Sequence, residues 1–440
     1  MAKKENRHAE LVSASANIEA PYELPEGWKW EKWGNIGNFI SGNGFKEKFQ
    51  GFTDYDIPFY KVGSLKYSDS SGFLFDRTNT INNEILRELK ASLIPENSII
   101  FAKIGEAIRL NRRSINSEKC CIDNNLMAFL PQKCDYKYAF YWSKNIDLYN
   151  YTNATTVPAI RKSDLEEIPF PLPPTLEEQQ RIVNRIESMF AKLDEAKEKA
   201  QNVVDCFETR KAAILHKAFS GELTANWRKK NGVSDDSWEE KRLEDVCDFI
   251  TKGTTPKKED MSIGIGDIPY IKVYNLCFDT KLDFTIDPTF VKLESHKNFL
   301  ARSITLPGDV LMNIVGPPFG KVSIVPDTYP EWNINQAIAR FRCKPELYNV
   351  YLANYLISPK TIENMSRQIK TTAGQQNLTL EICRNITIPV PTFTEQQEIV
   401  RILDTILKKE SRAKEAAQTV LDQIALLKKS ILARAFRGEL

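Results

Sequence analysis

Apolar residues recur at alternating steps of four and three along two stretches of the chain. In the first, Ile182, Ile186, Met189, Leu193, Ala196, Ala200, Val203, Phe207 and Ile214 carry the stripe, and Arg210 is its charged position. In the second the series is Ile399, Leu403, Ile406, Ala413, Ala417, Val420, Ile424, Leu427 and Ile431, interrupted by Glu410. A 3.5-residue period held over nearly five heptads predicts coiled-coil helices, with a seam about 50 Å long at 1.5 Å per residue. Thr175 with Glu178, and Thr392 with Glu395, give capping-box patterns at the two starts, behind the proline-rich runs PFPLPP and IPVP. Ser220-Gly221 and Arg437-Gly438 mark the two ends. Two such helices in one chain pair most simply with each other, antiparallel, and set the segments they carry at opposite ends of a rod.

The remaining sequence has a different texture. DIPFYKV, NSIIFAKI, GDIPYIKVYNL and KVSIVP are short β-branched and aromatic runs broken by Gly, Pro and Asn, which predict strands and turns. NNEILRELKASL and VYLANYLIS predict helices. Many of these segments come in pairs. EEQQRIV (177–183) returns as TEQQEIV (394–400), and AILHKAFSGEL (213–223) as SILARAFRGEL (430–440), each 217 residues later. IPFYKVGSL (57–65) matches IPYIKVYNL (268–276), Trp28 matches Trp238, and TTVPAI (155–160) lines up with TTAGQQ (371–376). The chain is one unit of about 215 residues written twice.

The expected fold is α+β: two mixed α/β domains separated by two long antiparallel coiled-coil helices, a pseudo-twofold internal repeat. The expected divisions are an N-terminal extension (1–27), a first domain (28–173), a central helical region and linker (174–236), a second domain (237–391) and a C-terminal helical region (392–440).

Composition narrows the class. At 440 residues, 42% hydrophobic and 27% charged, the chain is an ordinary globular protein too long for one core. It has no run of about 18 apolar residues, and its start lacks the apolar core of a secretory signal, so a cytoplasmic location and no membrane partner are expected. Sixty Lys and Arg against 58 Asp and Glu leave a net charge of +2, so nucleic-acid binding has to rest on local patches or on partners. The eight cysteines include no C-x-x-C pair and there are three histidines, which predicts reduced thiols and no metal site.

Catalytic motifs are missing as well. PFPLPPT has the prolines of an adenine-methyltransferase tetrapeptide without its Asn or Asp, and SGNGF is a lone G-x-G best read as a turn. GPPFGKV (316–322) has three residues between its glycines where a phosphate loop has four, and Val322 stands where Ser or Thr would reach magnesium. His8, His216 and His296 have no nucleophile partner in sequence. A non-catalytic chain without its own cofactor is expected.

LPEGW near the start, IPFPLPP before EEQQRIVNRIE, ILHKAFSGELTANWR, and the second TEQQEIVRILD with SILARAFRGEL resemble the specificity subunit of a type I restriction-modification complex, from about residue 24 onward. The resemblance implies that each α/β domain is a target recognition domain reading one half of a split double-stranded DNA sequence. It implies that the helices set the gap and dock two methyltransferase subunits, which carry the S-adenosylmethionine, and that restriction and translocase subunits join that core. AFSGEL and AFRGEL would then present equivalent partner surfaces through Phe219, Gly221, Glu222 and Leu223 and through Phe436, Gly438, Glu439 and Leu440. TANWRKKNG, which follows the first of these, has no counterpart in the second copy.

Sequence readers use Arg, Lys, Asn and Gln on base edges, with Ser and Thr added on phosphates. In the first domain the candidates are Lys103, Arg109, Asn111, Arg112 and Arg113, then Arg161 and Lys162. In the second they are Lys252, Thr254, Thr255, Lys257 and Lys258, then Asn313 and Lys321, then Arg367, Lys370, Thr371, Thr372, Gln375 and Gln376. The Thr-Thr segments occur in both copies, which suits a shared role on phosphates better than base reading. The competing reading is a coiled-coil adaptor with two ligand-binding α/β domains and no nucleic acid.

Overall fold

The computed structural model describes residues 20–153, 157–316, 318–369 and 376–440. Contacts divide the chain into two units: one runs to Ala200 and adds Thr419–Leu440, and the other is Gln201–Gln418. Each unit therefore joins one α/β domain to portions of both helical stretches.

In the first unit a four-stranded antiparallel sheet runs in the order Gly37–Ser41, Leu126–Pro131, Ile99–Ala102, Arg113–Ile115. Ile99–Ala102 is buried along its whole length, as its unbroken apolar run requires. A three-stranded sheet places Ile57–Tyr60 between Thr80–Ile81 and Cys121–Ile122. Trp33 centres the core, with the rings of Phe39, Phe129 and Trp142 at 4.8, 5.1 and 4.9 Å. The proline-rich run ahead of the helix is a strand, Pro169–Leu172, paired only with Lys29–Lys32, an edge position that tolerates Pro169 and Pro171.

The second unit repeats the plan: Cys247–Lys252, Ile338–Cys343, Val310–Asn313 and Val322–Ile324 form the larger antiparallel sheet, and Glu239–Arg242 pairs with Thr387–Val390. A further sheet orders Met261–Ile263, Thr289–Val291, Ile268–Ile271 and Asn333–Ile334, the last running parallel to its neighbour. The helices expected from NNEILRELKASL and VYLANYLIS are Asn83–Leu89 and Asn349–Leu356.

The repeated QQ explains how each domain is fixed to its helix. Gln179 is buried and its Oε1 accepts the Asp135 N–H at 2.8 Å; Gln396 does the same for Tyr348 at 2.8 Å. Next to these joints Tyr138 donates to the Pro171 carbonyl and Tyr351 to that of Pro389, each at 2.8 Å. Thr175 and Thr392 do cap their helices, accepting from the N–H of Glu178 and of Glu395. The box does not close reciprocally, because the Glu178 carboxylate pairs with Arg181 and that of Glu395 with Arg228.

The first stretch forms two consecutive helices, Leu176–Asp205 and Phe207–Phe219, and the second one helix, Phe393–Ala435. The break at Cys206 lies where the Arg210 guanidinium reaches back to the Val203 carbonyl at 3.0 Å and competes for a helix acceptor. Pairing is antiparallel within each unit: Asp194 meets Lys428 at 2.6 Å and Arg181 meets the Leu440 carbonyl at 3.0 Å in the first, while Arg210 meets Glu410 at 2.7 Å and Glu208 meets Lys414 at 4.0 Å in the second.

The stripe is partly covered. Ile182, Ile186, Ala200, Ile399, Leu403, Ala417 and Ile424 are buried, and Met189, Leu193, Val203, Phe207, Ile214, Ile406 and Ile431 are half-buried. Val420 and Leu427, expected in the seam, are exposed at 39% and 46%, because a single partner helix covers a narrower band than the apolar positions span. Leu215, Ala218, Leu432 and Ala435 take up burial off the stripe, against the domains.

Candidate nucleic-acid interface

In the first domain the basic cluster follows the strand Ile99–Ala102. Gly105, at φ +85°, opens the short turn Glu106–Ile108, and Arg109 leaves it with its guanidinium 3.6 Å over the Tyr149 ring and 2.7 Å from Glu106. Tyr149 also receives a hydrogen bond from Arg109, a stacking partner that sequence reading did not single out. Arg112 points to solvent. Two neighbours correct the expectation. Asn111, at φ +48°, ties the Ile146 carbonyl and the Leu148 N–H, and accepts from Arg113. Arg113 is 4% exposed, packs on the Phe101 ring and donates to Asn111 and to the carbonyls of Arg112 and Ile146. Burial pushes its pKa down to about 9, against the pull of Asp147, so it stays charged at neutral pH. Both residues build the loop.

The structure joins the two basic segments of this domain. Ile104 bridges to Ala159, the Gly105 N–H donates to the Pro158 carbonyl at 2.7 Å, and that of Ile160 to Lys103 at 2.9 Å. Lys103, half-buried with a pKa lowered by burial, thus lies on the same rim as exposed Arg161 and Lys162. Lys162 leans on Glu166 at 3.5 Å.

The second domain has the same construction. Leu378 N–H donates to the Ile314 carbonyl and Val315–Gly316 pairs with Gln376–Asn377. Asn313 is buried, donating to the carbonyls of Val315 and Pro318 and accepting from the Lys321 N–H, so it shapes the 313–321 loop and does not reach outward. That loop, GPPFGKV, has no phosphate-cradling helix after it; Val322 begins a strand. Lys321 is half-buried above the Phe278 ring.

Lys252, Lys257 and Lys258 are exposed on a second loop. Gly253 is required there, since a Cβ would meet the Ile334 carbonyl oxygen at 2.1 Å. Thr254 accepts from Arg302 at 3.4 Å and Thr255 donates to Gln336. Arg302 belongs to this loop only through the tertiary fold, and no local pattern marks it. Arg367 is exposed and paired with Glu363. Lys370, Thr371, Thr372 and Gln375 lie outside the described residues, as does Thr155-Thr156, and of Gln376 only the strand pairing is described.

In the repeated AFSGEL and AFRGEL the phenylalanines are turned inward. Phe436 is buried, 5.2 Å from the Tyr138 ring, and its carbonyl accepts from Tyr22. Phe219 lies 5.3 and 5.0 Å from Tyr351 and Tyr355. Gly221 and Gly438, at φ +81° and +75°, turn the chain after each helix, and a Cβ on Gly438 would meet Pro25 at 2.0 Å. Gly221 is buried; Gly438, Glu222 and Glu439 are exposed, and Leu223 and Leu440 half-buried. The two phenylalanines fasten helix ends to domains.

Among the described residues no three His, Cys, Asp or Glu side chains gather as a metal site, and no helix is long and apolar enough to cross a membrane. His296 is buried between Glu331 and Asn333.

Residues 25–204 and 235–420 match the model of the type I restriction modification DNA specificity domain, once per repeat. The specificity subunit of the Escherichia coli type I restriction enzyme EcoBI is 26% identical over 96% of this chain and 88% of its own length, and that of EcoKI from strain K12 is 21% identical over 95% and 90%. The fold is similar to the crystal structure of the HsdS subunit from Thermoanaerobacter tengcongensis, with a TM-score of 0.68 and 20% identity over 96% of this chain and all of that one. A chain from a study of complex assembly and conformational transition of the type I R-M system has a TM-score of 0.66 at 18% identity, over 96% of this chain and all of that one. With both repeats matched and their domain-to-helix joints built alike, this chain belongs to the family of type I restriction-modification DNA specificity subunits.

Proposed function

We propose that the chain selects a two-part DNA target for a type I restriction-modification complex, each α/β domain reading one half, and that it does no chemistry itself. The observation that carries this is the repeated rim: in the first domain two bridged loops bear Lys103, Arg109, Arg112, Arg161 and Lys162, and in the second the loop that bears Lys321 is bridged to 376–377 in the same way while a separate segment bears Lys252, Lys257 and Lys258, on a chain whose net charge is only +2. Lys370, Thr371, Thr372, Gln375 and Gln376 belong to the same proposal. Antiparallel pairing of the long helices within each unit supports a fixed gap between the half-sites.

Two methyltransferase subunits dock on the helices in this reading, and the restriction subunits join through them. With Phe219 and Phe436 engaged internally, each unit offers its own docking surface: exposed Glu439 with the uncovered Val420, Leu426 and Leu427 in the first, and exposed Glu222 in the second. Mapping methylated adenines in cells that express the chain with its cognate methyltransferase tests the reading. A single two-part motif with an unspecified gap is expected. A contiguous motif, or no motif that follows this chain, would contradict it and favour the adaptor.

A further inference from the structure

The second domain carries a cleft that the foregoing reading does not use. Across the strands Cys247–Lys252 and Ile338–Cys343, Thr251 is the register partner of Arg340, and Phe249 that of Arg342. They lie on the sheet face opposite core residues Ile250, Ala339 and Phe341. Together with Arg302 and Glu331 they line a cleft of about 480 Å³.

Arg340 is only 4% exposed, with its guanidinium 5.8 Å over the Phe249 ring, yet its buried Nε has no hydrogen-bond partner. The nearby carboxylate is Asp309, 4.0 Å away, and Arg342 already holds both oxygens of Asp309 at 2.8 and 2.7 Å. Glu331, the other acid of the cleft, is engaged by His296 at 3.1 Å. The Thr251 hydroxyl is buried and unpartnered as well. Burial also lowers the Arg340 pKa, which Asp309 only partly opposes. A buried fork of N–H donors beside an idle hydroxyl calls for an acceptor, and the planar guanidinium matches a tetrahedral oxyanion through two parallel bonds.

We propose that Arg340, Thr251, Arg302 and Arg342 form an oxyanion site for a phosphate group. Arg340 and Thr251 supply the buried donors, Arg302 closes over the mouth, and Arg342 keeps Asp309 from neutralising the site. Arg302 also touches Thr254, so the cleft abuts the Lys252–Lys258 loop. The phosphate is therefore one of the DNA backbone, a source that rests on the proposed DNA reading, or a free phosphate.

Calorimetric titration of the full chain with inorganic phosphate, without DNA, reads the site directly. Wild type takes up one phosphate, and Arg340→Met, which keeps the packed stem and removes the donors, binds it at least tenfold more weakly. Arg302→Gln, at an exposed position, makes the same test if Arg340→Met does not fold. No saturable uptake by wild type, or undiminished uptake by both variants, overturns the site whatever becomes of the DNA reading. Source is then read from DNA binding by the chain with its methyltransferase subunits. A backbone phosphate predicts that Arg302→Gln lowers the slope of log K against log salt by about one while target preference stays. An unchanged slope with lost phosphate uptake assigns the site to free phosphate.

Discussion

Arg112 and Arg113 are adjacent, equally basic and opposite in fate. The strand Arg113–Ile115 begins at the second of them, and its pairing with Phe101 turns that side chain into the fold while the first stays outside. A cluster of basic letters marked the loop; which members face out depended on a strand start and on the positive φ of Asn111, and neither is written in local composition. Asn313 misled in the same way, its amide being spent on the carbonyls of its own loop. Arg112→Ala is expected to weaken DNA binding, lowering the salt slope by about one unit for a phosphate contact or relaxing one base by about 1–3 kcal/mol for a guanine contact. Arg113→Ala is expected to lower unfolding stability by about 2 kcal/mol, measured by denaturant melts, by removing hydrogen bonds to Asn111 and two carbonyls. Phe436→Ala empties a fully buried site and is expected to cost about 3–5 kcal/mol, a loss that an exposed docking residue would not show.

At the level of helices and strands, the heptad period found the long helices and their caps, since Thr175, Thr392, Gly221 and Gly438 act as their types suggest. Periodicity says which positions share a face but not how wide a band the partner covers, and so Val420 and Leu427 come out exposed. Nor does it show the break at Cys206, which follows from a side-chain bond by Arg210. Arg210 and Glu410, the charged interruptions of the two stripes, face one another at 2.7 Å with about a third or less of each side chain exposed. A partly exposed pair of this kind contributes modestly. Glu410→Leu alone is expected to cost about 1 kcal/mol by stranding Arg210, and Arg210→Leu with Glu410→Leu to restore or exceed wild-type stability. A double mutant less stable than the single would show that the pair holds the register.

For the whole molecule, the 217-residue repeat was plain in sequence, and so was the family. How the repeat is completed was not. The first domain is finished by the far end of the chain, with Tyr22 reaching the Phe436 carbonyl across 414 residues and Phe436 packed on Tyr138. The second is finished by Phe219, which precedes it, against Tyr351. Repeated words identify equivalent parts, but only contacts show which copy each part serves, and so the inward packing of Phe219 and Phe436 could not be read from AFSGEL and AFRGEL. The central claim is that the paired helices fix the gap between two half-sites. The register within the second unit identifies Val203–Thr209 and Arg412–Gln418 as facing stretches, so removing both keeps the heptad phase and shortens the pair by about 10 Å. Mapping methylated sites for this shortened chain against wild type is the direct measurement. The account predicts the same two half-sites with a gap shorter by roughly two to three base pairs; methylation that persists at the original gap would contradict it.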